Sequence, residues 1–223
     1  MIKSKSQLAI LLSKLAVFDN SKLKLNREQY ATDSEAAAAA LWFAYMSGDI
    51  EGKTVADLGC GTGLLGIGAL LLGAKKAFFI DNDAEALSIC KQNISAAAPD
   101  LASQAEVINC SVAEFKQEVD TVVQNPPFGT KVKHADKEFL QQAIKVATVV
   151  YSMHKIETAG FVKKFASTNG FAVTNILPLQ LQLKSTYAFH KSRMKRIDVG
   201  LFRLEKAQVM LQKARSPAAQ KTF

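Results

Sequence analysis

The four residues Asn125, Pro126, Pro127 and Phe128 form the stretch of this sequence best suited to chemistry. They follow the apolar run 119–124, which predicts a buried strand. Two consecutive prolines cannot continue a sheet ladder, so this strand has to end there and turn outward. The stretch therefore brings an amide side chain, a proline carbonyl and an aromatic ring to the carboxyl end of a strand, where open α/β sheets bind ligands.

An Asn-Pro-Pro-aromatic sequence after the fourth strand resembles the signature of methyltransferases that act on planar exocyclic nitrogens, such as N6 of adenine. The lone pair of that nitrogen is delocalised into the ring, which makes it a poor nucleophile. Binding both of its hydrogens to the Asn125 side-chain oxygen and the Pro126 carbonyl favours a more tetrahedral nitrogen that can attack a methyl donor. Phe128 can stack on the base, which is worth about 1–3 kcal/mol. The alternative is an ordinary Pro-Pro loop without a catalytic role.

A glycine-rich turn earlier in the chain predicts a site for a nucleoside cofactor. The run 61–66 matches the dinucleotide pattern G-x-G-x-x-G, and Asp81 follows Gly61 by 20 residues, where an acid that binds ribose is expected. The pattern Gly59-x-Gly61-x-Gly63, directly after Asp57, equally fits the glycine loop of enzymes that use S-adenosylmethionine (SAM). In both, glycines let the backbone approach a nucleoside closely. The turn does not choose between SAM and a dinucleotide, and a purely structural turn is the third possibility.

Alternating strands and helices are predicted to position both stretches. The predicted strands are 54–58, 76–80, 105–110, 120–124, 146–151, 171–177 and 197–204, and the predicted helices between them are 64–72, 84–97, 137–144 and 157–166. This alternation is typical of a mostly parallel, doubly wound sheet. Before the first strand, leucines within 8–15 predict an amphipathic docking helix, and 36–46 predicts a mostly buried alanine-rich helix. We expect one domain over 1–206 and a basic, disordered tail over 207–223.

The net charge of +8 is concentrated near the carboxyl end of the 223-residue chain. The last 33 residues carry nine basic and only two acidic side chains. A local basic surface favours a polyanionic partner such as a nucleic acid, although a solvated tail that only aids solubility would look the same. The predicted phosphate contacts are Lys191, Arg193, Lys195 and Arg196.

Cysteine spacing and hydropathy indicate the cellular compartment in which the protein is expected. The three cysteines, Cys60, Cys90 and Cys110, lack Cys-x-x-Cys spacing, which predicts reduced thiols and no metal site made by this chain alone. No apolar run reaches the roughly 20 residues that span a membrane. We therefore expect a cytoplasmic protein without a membrane partner.

With these residues in view, the sequence resembles the adenine-N6 ribosomal RNA methyltransferases of the methyltransferase-like protein five family, of eukaryotic or archaeal type. The resemblance covers about residues 5–205. It is carried by Glu28-Gln29-Tyr30-x-Thr32, Ala56-Asp57-Leu58-Gly59-Cys60-Gly61, Asn125-Pro126-Pro127-Phe128-Gly129-Thr130-Lys131, Tyr151-Ser152-Met153-His154-Lys155 and Tyr187-x-Phe189-His190-Lys191. It implies a Rossmann-like class I SAM-dependent methyltransferase, with a seven-stranded mostly parallel sheet and helices on both faces. It also implies methylation of adenine N6 in small-subunit ribosomal RNA.

The resemblance implies which residues hold SAM. Gln29 and Thr32 would contact it from the N-terminal segment, and Asp81 would bind its ribose hydroxyls. The other predicted cofactor-binding residues are Asp57, Gly59, Thr62, Gly63, Leu64, Cys110 and Ser111. Ser111 departs from the family, which has an aspartate there to bind the adenine amino group of the cofactor. An uncharged serine hydroxyl is a weaker acceptor, so we expect weaker SAM affinity.

RNA and protein partners are also implied. Lys131 and Lys133 belong to a substrate loop in the family, although a solvated charged loop is the alternative. His190 is predicted to contact RNA, whereas His154 is expected to be structural. Eukaryotic members further suggest a small zinc-binding activator subunit that adds a strand to an exposed sheet edge.

Three other functions stay open at this point. One is N5 methylation of a glutamine in a translation factor, by enzymes that resemble this chain at the Asn-Pro-Pro motif but usually carry tyrosine where Phe128 stands. Another is a non-catalytic RNA-binding assembly factor of the same fold. A dehydrogenase is the least favoured, because only the glycine turn supports it.

Overall fold

The computed structural model describes residues 2–16, 32–127, 135–183 and 195–210, which place helices on both faces of a seven-stranded sheet. The helices are α1 (Lys5–Leu12), α2 (Ser34–Met46), α3 (Leu64–Leu71), α4 (Ala84–Ala97), α5 (Ala135–Val146) and α6 (Ala159–Thr168). The strands are β1 (Thr54–Leu58), β2 (Lys76–Asp81), β3 (Ala105–Asn109), β4 (Val119–Gln124), β5 (Ala147–Lys155), β6 (Phe171–Leu183) and β7 (Lys195–Lys206). Short 3-10 turns lie at Pro99–Gln104, Val112–Glu114 and Ile156–Thr158.

The strand order places β1 and β4 at the centre of the sheet. The order is β3-β2-β1-β4-β5-β7-β6. Strands β1 to β5 are parallel, and β7 runs antiparallel to both β5 and β6. The chain order reverses between β1 and β4, which is the switch point where doubly wound sheets bind ligands. The structure thus confirms the predicted seven-stranded, mostly parallel sheet.

Two hydrophobic cores flank the sheet, because neighbouring strand residues point to opposite faces. Val55 and Val123 belong to the core that contains buried residues of α1, α2, α3 and α4. Ala56 and Val122 belong to the core that contains buried residues of α5 and α6. Burial on both faces explains why the central strands read as continuous apolar runs.

The two N-terminal helices pack on the first of these faces. Leu8 and Leu12 of α1 are buried, as the leucine stripe predicts. Helix α2 starts after Asp33, whose carboxylate accepts a hydrogen bond from the Ala36 N–H (2.9 Å). Most alanines of α2 are buried, but Met46 at its last position is 69% exposed, so the predicted burial does not extend to the end of the helix.

The last three strands are longer than the sequence pattern predicts. Residue 146 closes α5 instead of opening β5, which continues to Lys155. Pro178 and Gln180 interrupt the apolar pattern of β6, but β6 is an edge strand, and edge strands tolerate both proline and polar side chains. Gln180 also donates a hydrogen bond to Asp198 across the β6–β7 pair (3.1 Å). The predicted basic connector between these strands shrinks to 184–194, which lies outside the described residues.

The start of the predicted tail is partly ordered. Residues 207–210 form one helical turn, and the Ala207 N–H donates to the Gly170 carbonyl (2.9 Å). Residues 211–223 lie outside the part of the chain that the structure describes.

A buried ion cluster ties the α2–β1 connection to β5 and β7. Arg203 donates to Asp49 from Nε (2.8 Å) and to Glu205 from Nη1 (2.7 Å). The Tyr151 hydroxyl donates to the same Asp49 carboxylate (2.6 Å). All four residues are buried. Burial, together with the hydrogen bond to Asp49, raises the pKa of Tyr151, so the phenol keeps its proton. These four residues are called the ion cluster below.

Candidate active site

Two neighbouring strand ends bring the glycine turn and Asn125 together. β1 and β4 pair in parallel with Leu58 opposite Gln124, so Gly59 and Asn125 follow at the same height of the sheet. β2 ends beside β1 at Asp81, and β3 ends next to β2. The residues predicted for the cofactor and those predicted for the substrate therefore meet at one carboxyl edge, at the switch point of strand order.

The glycine turn is fixed by backbone hydrogen bonds to the end of β2. The N–H groups of Gly59 and Cys60 both donate to the Ile80 carbonyl, at 2.8 and 2.9 Å. Gly59 has a φ of 70°, in the left-handed region, and a Cβ added there would lie 2.6 Å from the ring of Phe139. This position therefore requires glycine, and the turn offers bare backbone that a nucleoside can approach closely.

Two aspartates flank the turn with different environments. Asp57 is 2% exposed, and its Oδ2 accepts from the Gly66 N–H (2.8 Å), which ties β1 to the start of α3. Burial raises the pKa of Asp57 to about 7, against the opposing effect of the Gly66 hydrogen bond. Asp81 is partly exposed and accepts from the Gly61 and Asp83 N–H groups, both at 2.9 Å. Asp81 is thus the carboxylate accessible to a ribose, whereas Asp57 supports the turn.

Asn93 of α4 links the glycine turn to the N-terminal segment. Its Nδ2 donates to the carbonyls of Thr62 and Ala16, both at 2.9 Å, and its Oδ1 accepts from the Ala16 N–H (2.8 Å). This residue was not among the predicted site residues. Its signal is an amide on the buried face of α4, next to Ile94 and three residues after Cys90.

Cys110 and Ser111 follow β3 at the same edge of the sheet. The Cys110 N–H donates to the Asp81 carbonyl (3.2 Å). The Ser111 hydroxyl and N–H both donate to Oε2 of Glu114, at 2.7 and 2.9 Å, in a capping box. These two bonds lower the pKa of Glu114. The hydroxyl proton is directed to Glu114, and the capping box occupies one lone pair of Ser111 Oγ, so the second lone pair can accept a further hydrogen bond.

The side-chain amide of Asn125 is hydrogen-bonded through its nitrogen and not through its oxygen, among the residues that the structure describes. Its Nδ2 donates to Oγ1 of Thr32 (2.9 Å), which lies 93 residues earlier in the chain. Its Oδ1 is buried and accepts no hydrogen bond from any residue that the structure describes. Pro126, which follows, is buried, and Pro127 is partly buried. A buried acceptor without a partner costs about 1–3 kcal/mol, so this oxygen is suited to a donor that arrives with a ligand.

A buried polar chain lies directly next to Asn125. Gln124 Nε2 donates to the Ser152 hydroxyl (2.9 Å), which is 2.7 Å from Nε2 of His154. Burial lowers the pKa of His154 to about 4, so the ring is neutral and can accept the Ser152 proton. The ring also makes an edge contact with Phe202. These contacts agree with the structural interpretation of His154.

The comparison with known families adds to this geometry. A family model of the methyltransferase small domain matches residues 24–153, a range that contains both the glycine turn and Asn125. The chain belongs to the methyltransferase small-domain family. The two strand ends that meet at the switch point are therefore the candidate active site of a methyltransferase.

Several relatives match this methyltransferase over most of the chain. The protein MJ0284 of Methanocaldococcus jannaschii is 37% identical over 214 residues, covering 92% of this chain and 95% of the relative. The rRNA N(6)-adenosine-methyltransferase METTL5 of Danio rerio is 36% identical over 205 residues, covering 88% and 96%. The solved structure of a proposed RNA methyltransferase, PH1948 of Pyrococcus horikoshii, has a TM-score of 0.83 at 43% identity, covering 92% of this chain and 99% of that chain. These matches confirm the predicted family resemblance and class I methyltransferase fold.

Several predicted site residues of this methyltransferase fall outside the described part of the chain. They are Gln29, Phe128, Lys131, Lys133, His190, Lys191 and Arg193. Lys195 and Arg196 begin β7, where the backbone alone is described. The roles of these nine residues stay predictions.

Thr32 makes a contact that the sequence did not predict, because its hydroxyl pairs with Asn125. The cofactor contact that the resemblance implied for Thr32 stays a prediction. Leu64, also predicted at the cofactor, is partly buried at the first position of α3.

Neither a metal site nor a membrane span is found in the part of the chain that the structure describes. No group of three or more His, Cys, Asp or Glu side chains there could hold a metal ion. No helix there is long and apolar enough to cross a membrane.

Proposed function

We propose that this methyltransferase transfers a methyl group from SAM to N6 of an adenine in small-subunit ribosomal RNA. The observation that carries the proposal is the Oδ1 atom of Asn125, a buried acceptor at the switch point without a partner among the described residues. An exocyclic amine supplies the N–H donor that this atom lacks. The relatives named as rRNA N(6)-adenosine-methyltransferases favour adenine as the base that carries the amine.

The residues at the ends of β1, β2 and β3 fit a SAM molecule. The backbone of Gly59, which follows β1 at the same edge as Asp81, would lie close to it. The partly exposed carboxylate of Asp81 would accept hydrogen bonds from the ribose hydroxyls. Ser111 Oγ would accept from the adenine amino group of the cofactor. When bound, SAM supplies a methyl group that is electrophilic because it is attached to a sulfonium.

Asn125 and Pro126 would prepare the substrate amine for attack. The Asn125 Oδ1 and the Pro126 carbonyl would accept one N6 hydrogen each, which localises the nitrogen lone pair. The N6 lone pair would then attack the methyl carbon, and the bond between that carbon and sulfur would break. The extra proton leaves the nitrogen afterwards to water, so no side chain has to act as a base. Phe128 is proposed to stack on the base and to hold it in line.

RNA contacts and a protein partner belong to the same proposal. The proposed phosphate contacts are Lys131, Lys133, His190, Lys191, Arg193, Lys195 and Arg196. A small zinc-binding activator subunit would add a strand to one edge of the described sheet, either β3 or β6. Activity on ribosomal RNA would place the protein in the cytoplasm.

The proposal is tested by incubating the protein with isotope-labelled SAM and unmodified small ribosomal subunits. Translation factors serve as the competing substrate, and Asn125→Ala as the inactive control. We expect label in N6-methyladenosine after digestion of the RNA, and none with the control variant. Label in a glutamine of a translation factor would show that the substrate is protein and not RNA. RNA binding without any transfer, with or without an activator subunit, would show an assembly factor instead.

A further inference from the structure

The chemistry proposed for Asn125 requires one particular orientation of its amide. The oxygen and the NH2 group of an asparagine side chain are similar in size, but only the oxygen can accept a hydrogen bond. If the amide were turned over, its N–H groups would oppose the N–H groups of the substrate amine. A methyltransferase that uses asparagine here therefore needs a contact that selects the productive orientation.

The Thr32 hydroxyl contacts the nitrogen side of this amide. Its Oγ1 accepts from Nδ2 of Asn125 at 2.9 Å, which leaves Oδ1 as the atom without a partner among the described residues. The backbone of Thr32 is held in place because the next residue, Asp33, caps α2 through the Ala36 N–H (2.9 Å). The helix end thus positions the backbone of Thr32, and the hydrogen bond to Asn125 positions its hydroxyl.

We propose that Thr32 is a positioning residue that holds the Asn125 carbonyl oxygen toward the substrate amine. This inference rests on the proposed function and differs from the cofactor contact that the family resemblance implies for Thr32, which the experiment below tests as the alternative. A hydroxyl both donates and accepts, so Thr32 could also pair with an overturned amide. With an amine bound, however, only the observed orientation satisfies Thr32 and the substrate together.

Replacement of Asn125 by aspartate distinguishes an orienting role of the Thr32 hydroxyl from other effects of removing that hydroxyl. A carboxylate has two equivalent acceptor oxygens, so it presents an acceptor to the substrate whichever way it is turned. Loss of the Thr32 hydroxyl should therefore matter when residue 125 is asparagine and matter little when it is aspartate. The coupling between the two positions measures the orienting role directly.

The experiment compares Thr32→Val, which keeps the side-chain shape, with Thr32→Ser, which keeps the hydroxyl. Each is made in the wild-type and Asn125→Asp backgrounds, and kcat, KM for RNA and the Kd for SAM are measured. In wild type we expect Thr32→Val to lower kcat about 10-fold, with Kd and KM within about two-fold and Thr32→Ser close to wild type. In the Asn125→Asp background, Thr32→Val should change kcat by less than about two-fold.

Two results would overturn the inference. A raised Kd for SAM with kcat unchanged at saturating SAM would make Thr32 a cofactor contact. An equal loss of kcat in both backgrounds would mean that Thr32 acts through packing instead of the amide.

A second measurement does not depend on turnover or on how well Thr32→Val folds. The side-chain amide of Asn125 is assigned in an NMR spectrum of the wild type by its loss in Asn125→Asp. Its Nδ2 protons should exchange with water more slowly than those of the exposed Asn175. Equal exchange would refute the contact. Slow exchange in a wild type that methylates no RNA would refute the proposed function and leave the contact standing.

Discussion

The ion cluster and the Asn125 site are both buried and polar, but they differ in how fully their hydrogen bonds are satisfied. In the ion cluster, Arg203 bridges Asp49 and Glu205, and Tyr151 adds a further donor to Asp49. At the active-site edge, Asn125 Oδ1 and Gln124 Oε1 are buried without a partner among the described residues. The same chain therefore contains one buried polar cluster whose members are hydrogen-bonded to each other and one with acceptors that lack a partner among the described residues.

The difference separates residues that stabilise the fold from residues that are available to bind a ligand. Removing one member of a satisfied buried network lowers the stability of the fold strongly, because the remaining charges stay buried without compensation. An unsatisfied acceptor already destabilises the folded state, so its removal should cost little stability and much activity. The predictions below test this contrast.

The largest expected effect is on stability, from Arg203→Met in the ion cluster. Asp49 and Glu205 would remain buried and lose the Arg203 cation that bridges them, and the free energy of unfolding should fall by about 3–5 kcal/mol. The matched control is Lys76→Met, which breaks the exposed 2.7 Å pair with Glu106 and should cost less than about 1 kcal/mol. Urea denaturation measures both, and equal losses would contradict the structural role of the cluster.

The second prediction compares two asparagines that are paired to different degrees. Asn125→Ala should lower the methylation rate by about 100–1000-fold, as for loss of one catalytic hydrogen-bonding group, while the free energy of unfolding changes by less than about 1 kcal/mol. Asn93→Ala removes an amide whose oxygen and nitrogen are both bonded, and should cost about 1–3 kcal/mol of stability. Single-turnover assays and thermal denaturation check the two variants. A greater loss of stability in Asn125→Ala than in Asn93→Ala would remove the distinction.

The same contrast explains which parts of the site the sequence predicts. The glycine turn and the Asn-Pro-Pro stretch are local signals, because each depends on a few adjacent residues with special backbone geometry. The alternating pattern then predicts that both lie at the carboxyl edge of one sheet. Helix α4 was predicted at its observed bounds for the same reason: Asp83 and Pro99 mark its two ends locally.

The contacts that orient these groups are not local, and no pattern reports them. The Thr32–Asn125 hydrogen bond joins residues 93 positions apart, and the Arg203–Asp49 bond joins residues 154 positions apart. Strands β6 and β7 were predicted too short because pairing with each other compensates for the polar residues in their outer halves. Tertiary pairing thus decided both the strand lengths and the positioning contacts.

The third prediction concerns Asp57, which has a neutral partner but lies buried near another carboxylate. Burial raises its folded pKa to about 7, above the value of about 3.9 in an unfolded chain. Its contribution to stability is therefore fully present below pH 4 and is lost as the pH rises through 7. Asp57→Asn keeps an acceptor for Gly66 without the charge. Its free energy of unfolding, relative to that of wild type, should therefore rise by about 2–3 kcal/mol from pH 5 to pH 8. Denaturation curves at both pH values measure this difference, and a constant difference would refute the raised pKa.

The smallest expected effect concerns Ser111 and the affinity for SAM. Ser111→Asp would provide a charged acceptor for the cofactor adenine, but it would place that charge beside Glu114, which now lies 2.7 Å from the hydroxyl. We therefore expect the single variant to gain little, and Ser111→Asp combined with Glu114→Gln to tighten the Kd for SAM by about 5–10-fold. Glu114→Gln alone is the control, and calorimetric titration gives all four dissociation constants.

Unchanged affinity in both aspartate variants would show that Ser111 does not contact the cofactor. A full gain in the single variant would show that the capping box opens at no cost, and that its hydrogen bonds are weaker than their short distances imply.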